Sequence, residues 1–212
     1  MDMPYEGDRV ESLDALRQIY EMPAERVTRL KFPRLDAHMA RFIGAAPLMF
    51  IATGTVDGLD NSPRGGAPGF VHVPDSGHVA IPDWPGNNKL ESITNILSGD
   101  GRCGLVFLVP HMDAFLRVNG RAVLSRHPDL LRAFAGEGQG RTPKLAILVT
   151  VEEAYFHCGK ALRRSSLWQP DGWAASGLPS VGTIIREQSG MQDVSAEAID
   201  ADYQRALKQE LY

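Results

Sequence analysis

Cysteine is scarce in this chain. Its 212 residues include only Cys103 and Cys158, too few for a disulfide framework or a cysteine zinc site. Both lie beside apolar runs and read as buried thiols. Long hydrophobic runs are missing too: no window approaches the roughly 18 apolar residues of a membrane helix, so no membrane partner is expected. There is no basic excess. Lys and Arg total 22 against 26 Asp and Glu, a net charge of −4, which argues against a general nucleic-acid binder. The opening MDMPYEGDRVE is acidic and has no apolar signal core, so the expected location is cytoplasmic. His72, His78, His111, His127 and His157 show no metal-ligand spacing, and no metal is expected. Ser165 and Ser166 have no evident base and acid for acyl transfer. No internal repeat or low-complexity segment is present.

What remains is ordinary globular composition, 43% hydrophobic and 23% charged, enough for one large domain with appendages. Residues 12–43 predict three short helices punctuated by prolines. Ser12 caps the first, with Leu13, Leu16 and Tyr20 on one face; Val27 and Leu30 face inward on the second, and Leu35, Met39 and Phe42 on the third. Pro47–Thr53 reads as a strand buried on both faces. Asp57-Gly58 signals a hairpin whose central residues need positive φ. Gly69–Val73 and His78–Pro82 flank a turn at Pro74-Asp75-Ser76-Gly77. A helix over 88–97 places Leu90, Ile93 and Leu97 together. Cys103–Val109 is an apolar strand, Phe115–Leu124 one long strand kinked by a glycine bulge, and Leu145–Phe156 the longest strand. A short helix (128–135) and a glycine-rich loop (136–143) lie between the last two. The loop's GEGQG has no strand before it and helix after it to bind a nucleotide. A basic helical turn follows over 159–168, then helices near 180–189 and 195–211. Ile199, Tyr203 and Leu207 of the last would cover an apolar surface of this chain or a partner. Five to seven strands joined mostly by tight turns suggest an antiparallel barrel.

One stretch, Asn61–Lys89, carries a chemical signal. Pro63-Arg64-Gly65-Gly66 opens it, and Pro85-Gly86-Asn87-Asn88-Lys89 closes it just before a helix. A lysine at a helix start opposes the helix dipole. Alone it reads as a solvated surface residue. With Arg64 and the glycines it reads as an anion site at a helix N-terminus.

Ser62-Pro63-Arg64-Gly65, Pro68-Gly69-Phe70-Val71 and Pro85-Gly86-Asn87-Asn88-Lys89 resemble the pyridoxamine 5′-phosphate oxidase-like, FMN-binding split-barrel family. So do Leu116-Arg117-Val118-Asn119-Gly120-Arg121-Ala122 and Phe156-His157-Cys158-Gly159-Lys160-Ala161-Leu162 with Arg164, Ser165 and Trp168. The resemblance spans roughly residues 35–170, between a helical extension (1–34) and a second one (171–212) packed on the barrel or on a dimer partner. It implies a mainly β chain with flanking helices, a six-stranded antiparallel split barrel, and a homodimer with two FMN sites at its interface. Arg64 and Lys89 would hold the phosphate, with Asn87 and Asn88 beside them. Ser62, Gly65 and Gly66 would run along the flavin. Lys160, Arg164, Ser165 and Trp168 of the other chain would close the site, with Arg117 contributing. Trp84 and Trp168, beside the two basic blocks, read as walls of the flavin site, and Trp173 as packing. Close members of the family often carry an aspartate where this chain has Gly66. The vitamin oxidase's substrate-gripping histidine and aspartate have no counterpart in Leu162-Arg163-Arg164-Ser165-Ser166, so pyridoxamine phosphate is not the expected substrate. The implied activity is an FMN-dependent oxidoreductase acting on a small molecule. The alternatives are a flavin carrier or sensor without turnover, or a deazaflavin- or heme-binding protein on the same barrel.

Overall fold

In the computed structural model, which describes residues 7, 9–136, 142–169, 177–191 and 193–209, alternating burial along the strands explains the architecture. In β1 (Leu48–Gly54) Met49, Ile51 and Thr53 turn inward while Ala52 is exposed. The strand is therefore buried on one face rather than both, as expected for a sheet that packs its core on one side. It pairs antiparallel with β2 (Leu59–Gly65) and β5 (Arg102–Leu108). From β5 the sheet continues through β6 (Ala114–Ser125), β7 (Leu145–Cys158), β4 (His78–Asp83) and β3 (His72–Asp75). All neighbours are antiparallel. Seven strands form the sheet, one more than the family resemblance implies.

The sheet curls. Met49 and Ile51 of β1 share one buried cluster with Val79 and Ile81 of β4, although three strands separate β1 from β4. The two edges are β2 and β3, and Pro63 and Pro74 sit on them, where a missing ladder donor costs least. β6 is one strand with a register shift at Asn119/Gly120, as its glycine suggests. A Cβ at Gly120 would collide with the Thr150 carbonyl, so only glycine fits.

Local details depart from the sequence reading in instructive ways. The β1–β2 hairpin closes through four residues, with the Thr55 N–H donating to the Gly58 carbonyl. Neither Asp57 nor Gly58 has positive φ, because a four-residue loop does not need the mirror-image turn. The β3–β4 turn is narrower than expected: Asp75 pairs with His78, leaving Ser76 and Gly77 between strands.

The helices divide by what they bury. α3 (Ala37–Ala45) is capped by Asp36 and buries Met39, Phe42 and Ile43. α1 (Leu13–Ile19), capped by Ser12, and α2 (Glu25–Thr28) bury nothing. Leu13, Tyr20, Val27 and Leu30, expected to pack inward, are all more than half exposed. This arm is tied to β7 where Phe32 and Ala154 exchange backbone hydrogen bonds of 3.0 and 2.8 Å. α4 (Glu91–Ser98) buries Ser92, Ile93 and Ile96, while Leu90 and Leu97 point outward. Ile93 is buried as expected, but Leu90 lies outside the helix and Ile96 rather than Leu97 shares the buried face. α5 (Pro128–Arg132) and α6 (Lys160–Ser165) are short. α7 (Val181–Ser189) packs on α8 (Ala196–Gln209), joined by the Gly182 N–H donating to Asp200 at 2.7 Å. Cys103 is buried as expected, but Cys158 is exposed. It lies at the end of β7, beyond the last residue paired with β4, where no third strand covers it.

Candidate functional site

The site begins with β2. On this edge strand Asp60, Ser62 and Arg64 fall on the same, partly buried face, the period of two that a strand imposes. Curling of the sheet brings Arg64 to the end of β4, where its Nη1 donates to Asp83 Oδ1 at 3.1 Å. Both side chains are mostly covered, 22% and 12% exposed. The Arg64 Nε is buried without a hydrogen-bond partner, so the guanidinium is under-satisfied as it stands.

After β4 the chain passes through Trp84 and the Pro85–Asn88 loop to Lys89. The expected helix start at Lys89 is not what forms. Asn88 and Leu90 both adopt the left-handed region, with φ of 60° and 58°. Lys89 is held between them, and its N–H donates to Asn87 Oδ1 at 3.0 Å. Asparagine tolerates this region, whereas for the bulky Leu90 it is a costly conformation. α4 then starts at Glu91 without a side-chain cap, which leaves its first N–H groups directed at the loop. Ser92 ties the helix to β2, its hydroxyl donating to Asp60 Oδ2 at 2.6 Å.

These elements enclose a cleft of about 310 Å³, lined by Ser62, Arg64, Asn87, Asn88 and Lys89 among others. Lys144, just before β7, lines it as well. Three cations thus share the cleft with Asp60, Asp83 and Glu91. Asp60 and Asp83 already accept hydrogen bonds from Ser92 and Arg64. Neither ammonium has an ion-pair partner among the described residues. A second hollow of about 500 Å³, lined by Gly65, Gly66 and Phe70, adjoins the first across Pro63, Arg64 and Trp84. The Gly66 N–H is engaged with the Pro47 carbonyl at 3.1 Å, so its part in the hollow is its lack of a side chain.

The other predicted site residues lie elsewhere on the chain. Arg117 stands over the Tyr155 ring, 5.1 Å from its centroid. Lys160, Arg164 and Ser165 are exposed on α6, and the Ser165 hydroxyl donates to the Leu162 carbonyl at 3.1 Å. Trp168 lies 6.0 Å from the His111 ring with its Nε1 buried and unpartnered. None of these five lines either hollow. α6 is anchored by Arg163, whose Nε donates to Asp113 at 2.8 Å. Trp173 and most of the glycine-rich loop fall outside the described residues. Among the cleft residues that escaped the sequence reading are Lys144 and Asp83. Lys144 is a lone charge next to proline, with no pattern to mark it. Asp83 precedes Trp84 in a strand that reads as apolar, and a carboxylate there is the one available hint.

Two neighbouring regions have their own electrostatics. On the sheet face beside Arg117, Glu153 accepts from Asn119 at 3.0 Å and pairs with Lys31 at 2.8 Å. The Lys31 hydrogen bond holds the Glu153 carboxyl below the usual carboxylate range and in turn raises the Lys31 ammonium. Burial pushes the Cys103 thiol up to about 12. Among the described residues no group of three His, Cys, Asp or Glu converges as a metal site. No helix among them is long and apolar enough to cross a membrane.

A family model described as pyridoxamine 5′-phosphate oxidase matches residues 35–158, more than half of the chain. No curated protein matches the sequence. Among solved structures the chain is similar to HupZ of Group A Streptococcus, with 19% identity over 57% of this chain and 91% of that one and a TM-score of 0.45. It is also similar to a NimC/NimA family protein from Clostridium acetobutylicum, with 12% identity, 58% and 87% coverage and a TM-score of 0.44. An FMN-binding protein from Syntrophomonas wolfei is a third, with 8% identity, 55% and 82% coverage and a TM-score of 0.42. These structural likenesses are too distant to carry an argument, and the assignment rests on the match to residues 35–158. The chain belongs to the pyridoxamine 5′-phosphate oxidase-like family of FMN-binding split barrels.

Proposed function

We propose that the chain is an FMN-dependent oxidoreductase that holds the flavin phosphate in the cleft between β2 and α4. The observation that carries this reading is the convergence of Arg64, Lys89 and Lys144 on one cleft of a family that binds FMN. Three cations meet there beside Asp60, Asp83 and Glu91 in a protein of net charge −4, and a phosphate carries about two negative charges at pH 7 for them to meet. The residues fit the group. Arg64 has an orphaned buried donor, the uncapped start of α4 offers backbone N–H groups, and Gly65 and Gly66 keep the adjoining hollow clear of side chains. Together the two hollows have the size of a small-molecule site, which runs from about 300 to 1,000 Å³.

Arg64, Lys89 and Lys144 would hold the phosphate, with Asn87 and Asn88 shaping the loop around it. Trp84, shared by both hollows, would wall the ring. Bound flavin supplies the redox chemistry, while the protein supplies position, electrostatics and exclusion of water. The second basic block, Lys160, Arg164, Ser165 and Trp168, lines neither hollow of its own chain. We assign it, with Arg117, to the flavin site of a second copy in a homodimer.

The test is titration of purified protein with FMN and with riboflavin, followed by reduction with NADH or NADPH. Saturation at one FMN per chain, with riboflavin much weaker, is the expected result. Failure to bind FMN, or equal affinity for both, overturns the cofactor assignment. Bound flavin that no electron donor reduces would mark a carrier instead of an enzyme, and a heme or deazaflavin spectrum would reassign the cofactor.

A further inference from the structure

The geometry points to Asp83 as the positioning residue for the phosphate-binding arginine. This inference rests on the FMN reading of the cleft and names a group that reading does not use. Asp83 is the last residue of β4 and is 9% exposed. It is one of three buried polar or charged residues among those described, with Thr53 and Ser92. A carboxylate kept so far from water needs a partner, and the partner it has is Arg64 Nη1 at 3.1 Å.

Two consequences follow, and they oppose each other. By charge alone Asp83 is a hindrance, since it sets a negative group in the wall of an anion cleft and neutralises the nearest cation. By geometry it is an asset. Arginine has a long side chain whose freedom is lost on binding, and a fork whose direction decides whether its donors meet an anion. No other side chain among those described is in hydrogen-bond contact with the Arg64 guanidinium. Fixing Nη1 against β4 holds the fork within the cleft before the ligand arrives and leaves its remaining donors for the ligand. The neighbouring lysines need no such support, because a point charge binds from many directions. The geometric term wins where the carboxylate's charge is met locally, as it is here by its own partner Arg64, with Lys89 and Lys144 set against Asp60 and Glu91 in the same cleft.

The opposite signs make the inference testable with FMN and riboflavin as probes. Dissociation constants for both are measured on the full chain by flavin fluorescence for the wild type, Asp83→Ala, Asp83→Asn, Arg64→Ala and the double variant Arg64→Ala/Asp83→Ala. Asp83→Ala is expected to weaken FMN roughly ten-fold, the scale on which orienting partners act, and to leave riboflavin unchanged. Asp83→Asn keeps an acceptor for Nη1 and is expected to recover most of that loss, settling a few-fold weaker than wild type because the bond is no longer charge-assisted. In the Arg64→Ala background, removing Asp83 is expected to cost nothing more. Tighter or undiminished FMN binding in either single variant overturns the inference in favour of simple repulsion. So does a loss that persists without Arg64. Should Asp83→Ala not fold, Asp83→Asn still decides by its sign. A wild type that does not prefer FMN over riboflavin would remove the FMN reading itself, and this inference with it. A wild type that does, beside indifferent Asp83 variants, removes this inference alone.

Discussion

Replacing Arg64 by alanine disturbs two things at once, and the structure sizes both. Removing a phosphate ligand from a surface site would by itself leave stability nearly unchanged. The ion pair with Asp83 alters that expectation. A fully buried pair broken on one side costs about 3–5 kcal/mol, and an exposed pair about 0.2–1 kcal/mol. With side chains 22% and 12% exposed, this pair lies nearer the buried limit. Removing the arginine also removes the orphaned Nε, which offsets part of the loss. We expect a net cost of about 1–3 kcal/mol. In a protein of this size that lowers the melting temperature by roughly 2–12 °C. Thermal and urea melts of the flavin-free protein measure it, with an unchanged urea slope showing that the native state keeps its compactness. The same variant is expected to lose about 1.5–3 kcal/mol of FMN affinity, roughly 10- to 150-fold. Unaltered stability would mean that Asp83 is not paired with Arg64. Unaltered FMN affinity would mean that Arg64 is not a phosphate ligand.

Lys144→Ala is expected to weaken FMN by up to about ten-fold, leaving riboflavin alone, since its ammonium contacts an anion as a point charge; equal losses for the two ligands would remove it from the phosphate site. A thiol reagent at pH 8 is expected to label Cys158, which is exposed, and to spare Cys103, whose thiol is buried and pushed up to about 12, until urea is added. Two fast-reacting thiols in the native protein would contradict this. Glu153 has its carboxyl lowered by Lys31, so the folded state binds its proton less readily than the unfolded chain. Its contribution is present above the ordinary carboxylate range and fades as pH falls through the lowered value. Glu153→Gln is therefore expected to lower stability at pH 7 and to flatten the acid side of the stability profile, and an unchanged profile would show the pair to be idle.

The family, and the two blocks that line the cleft, were legible because they are written in local chemistry. Pro63-Arg64-Gly65-Gly66 and Pro85-Gly86-Asn87-Asn88-Lys89 each occupy a few consecutive residues, and the structure gathers both blocks around adjoining hollows. The long bulged β6 could be read from Gly120, and β7 from its length. What escaped depends on tertiary structure. Lys144 enters the cleft only because β7 pairs with β4, setting Leu145 opposite Asp83. Leu90 drops out of the α4 stripe because left-handed Asn88 and Leu90 delay the helix to Glu91, and helix periodicity says nothing of where a helix begins. Val27 and Leu30 carry a helical apolar pattern yet bury nothing here. Their pattern records an amphipathic face without saying what covers it. The two basic blocks do not line a common hollow within one chain, and no local signal tells whether a second copy brings them together.

That division between chains is the claim a single experiment tests most directly. Lys89→Ala and Arg164→Ala chains are each shown to bind FMN poorly as homodimers, then mixed and allowed to exchange subunits. A site shared between copies gives heterodimers with one doubly damaged and one intact site, so the mixture recovers FMN binding at one flavin per heterodimer. Were each site built within one chain, every site would keep a lesion and no binding would return.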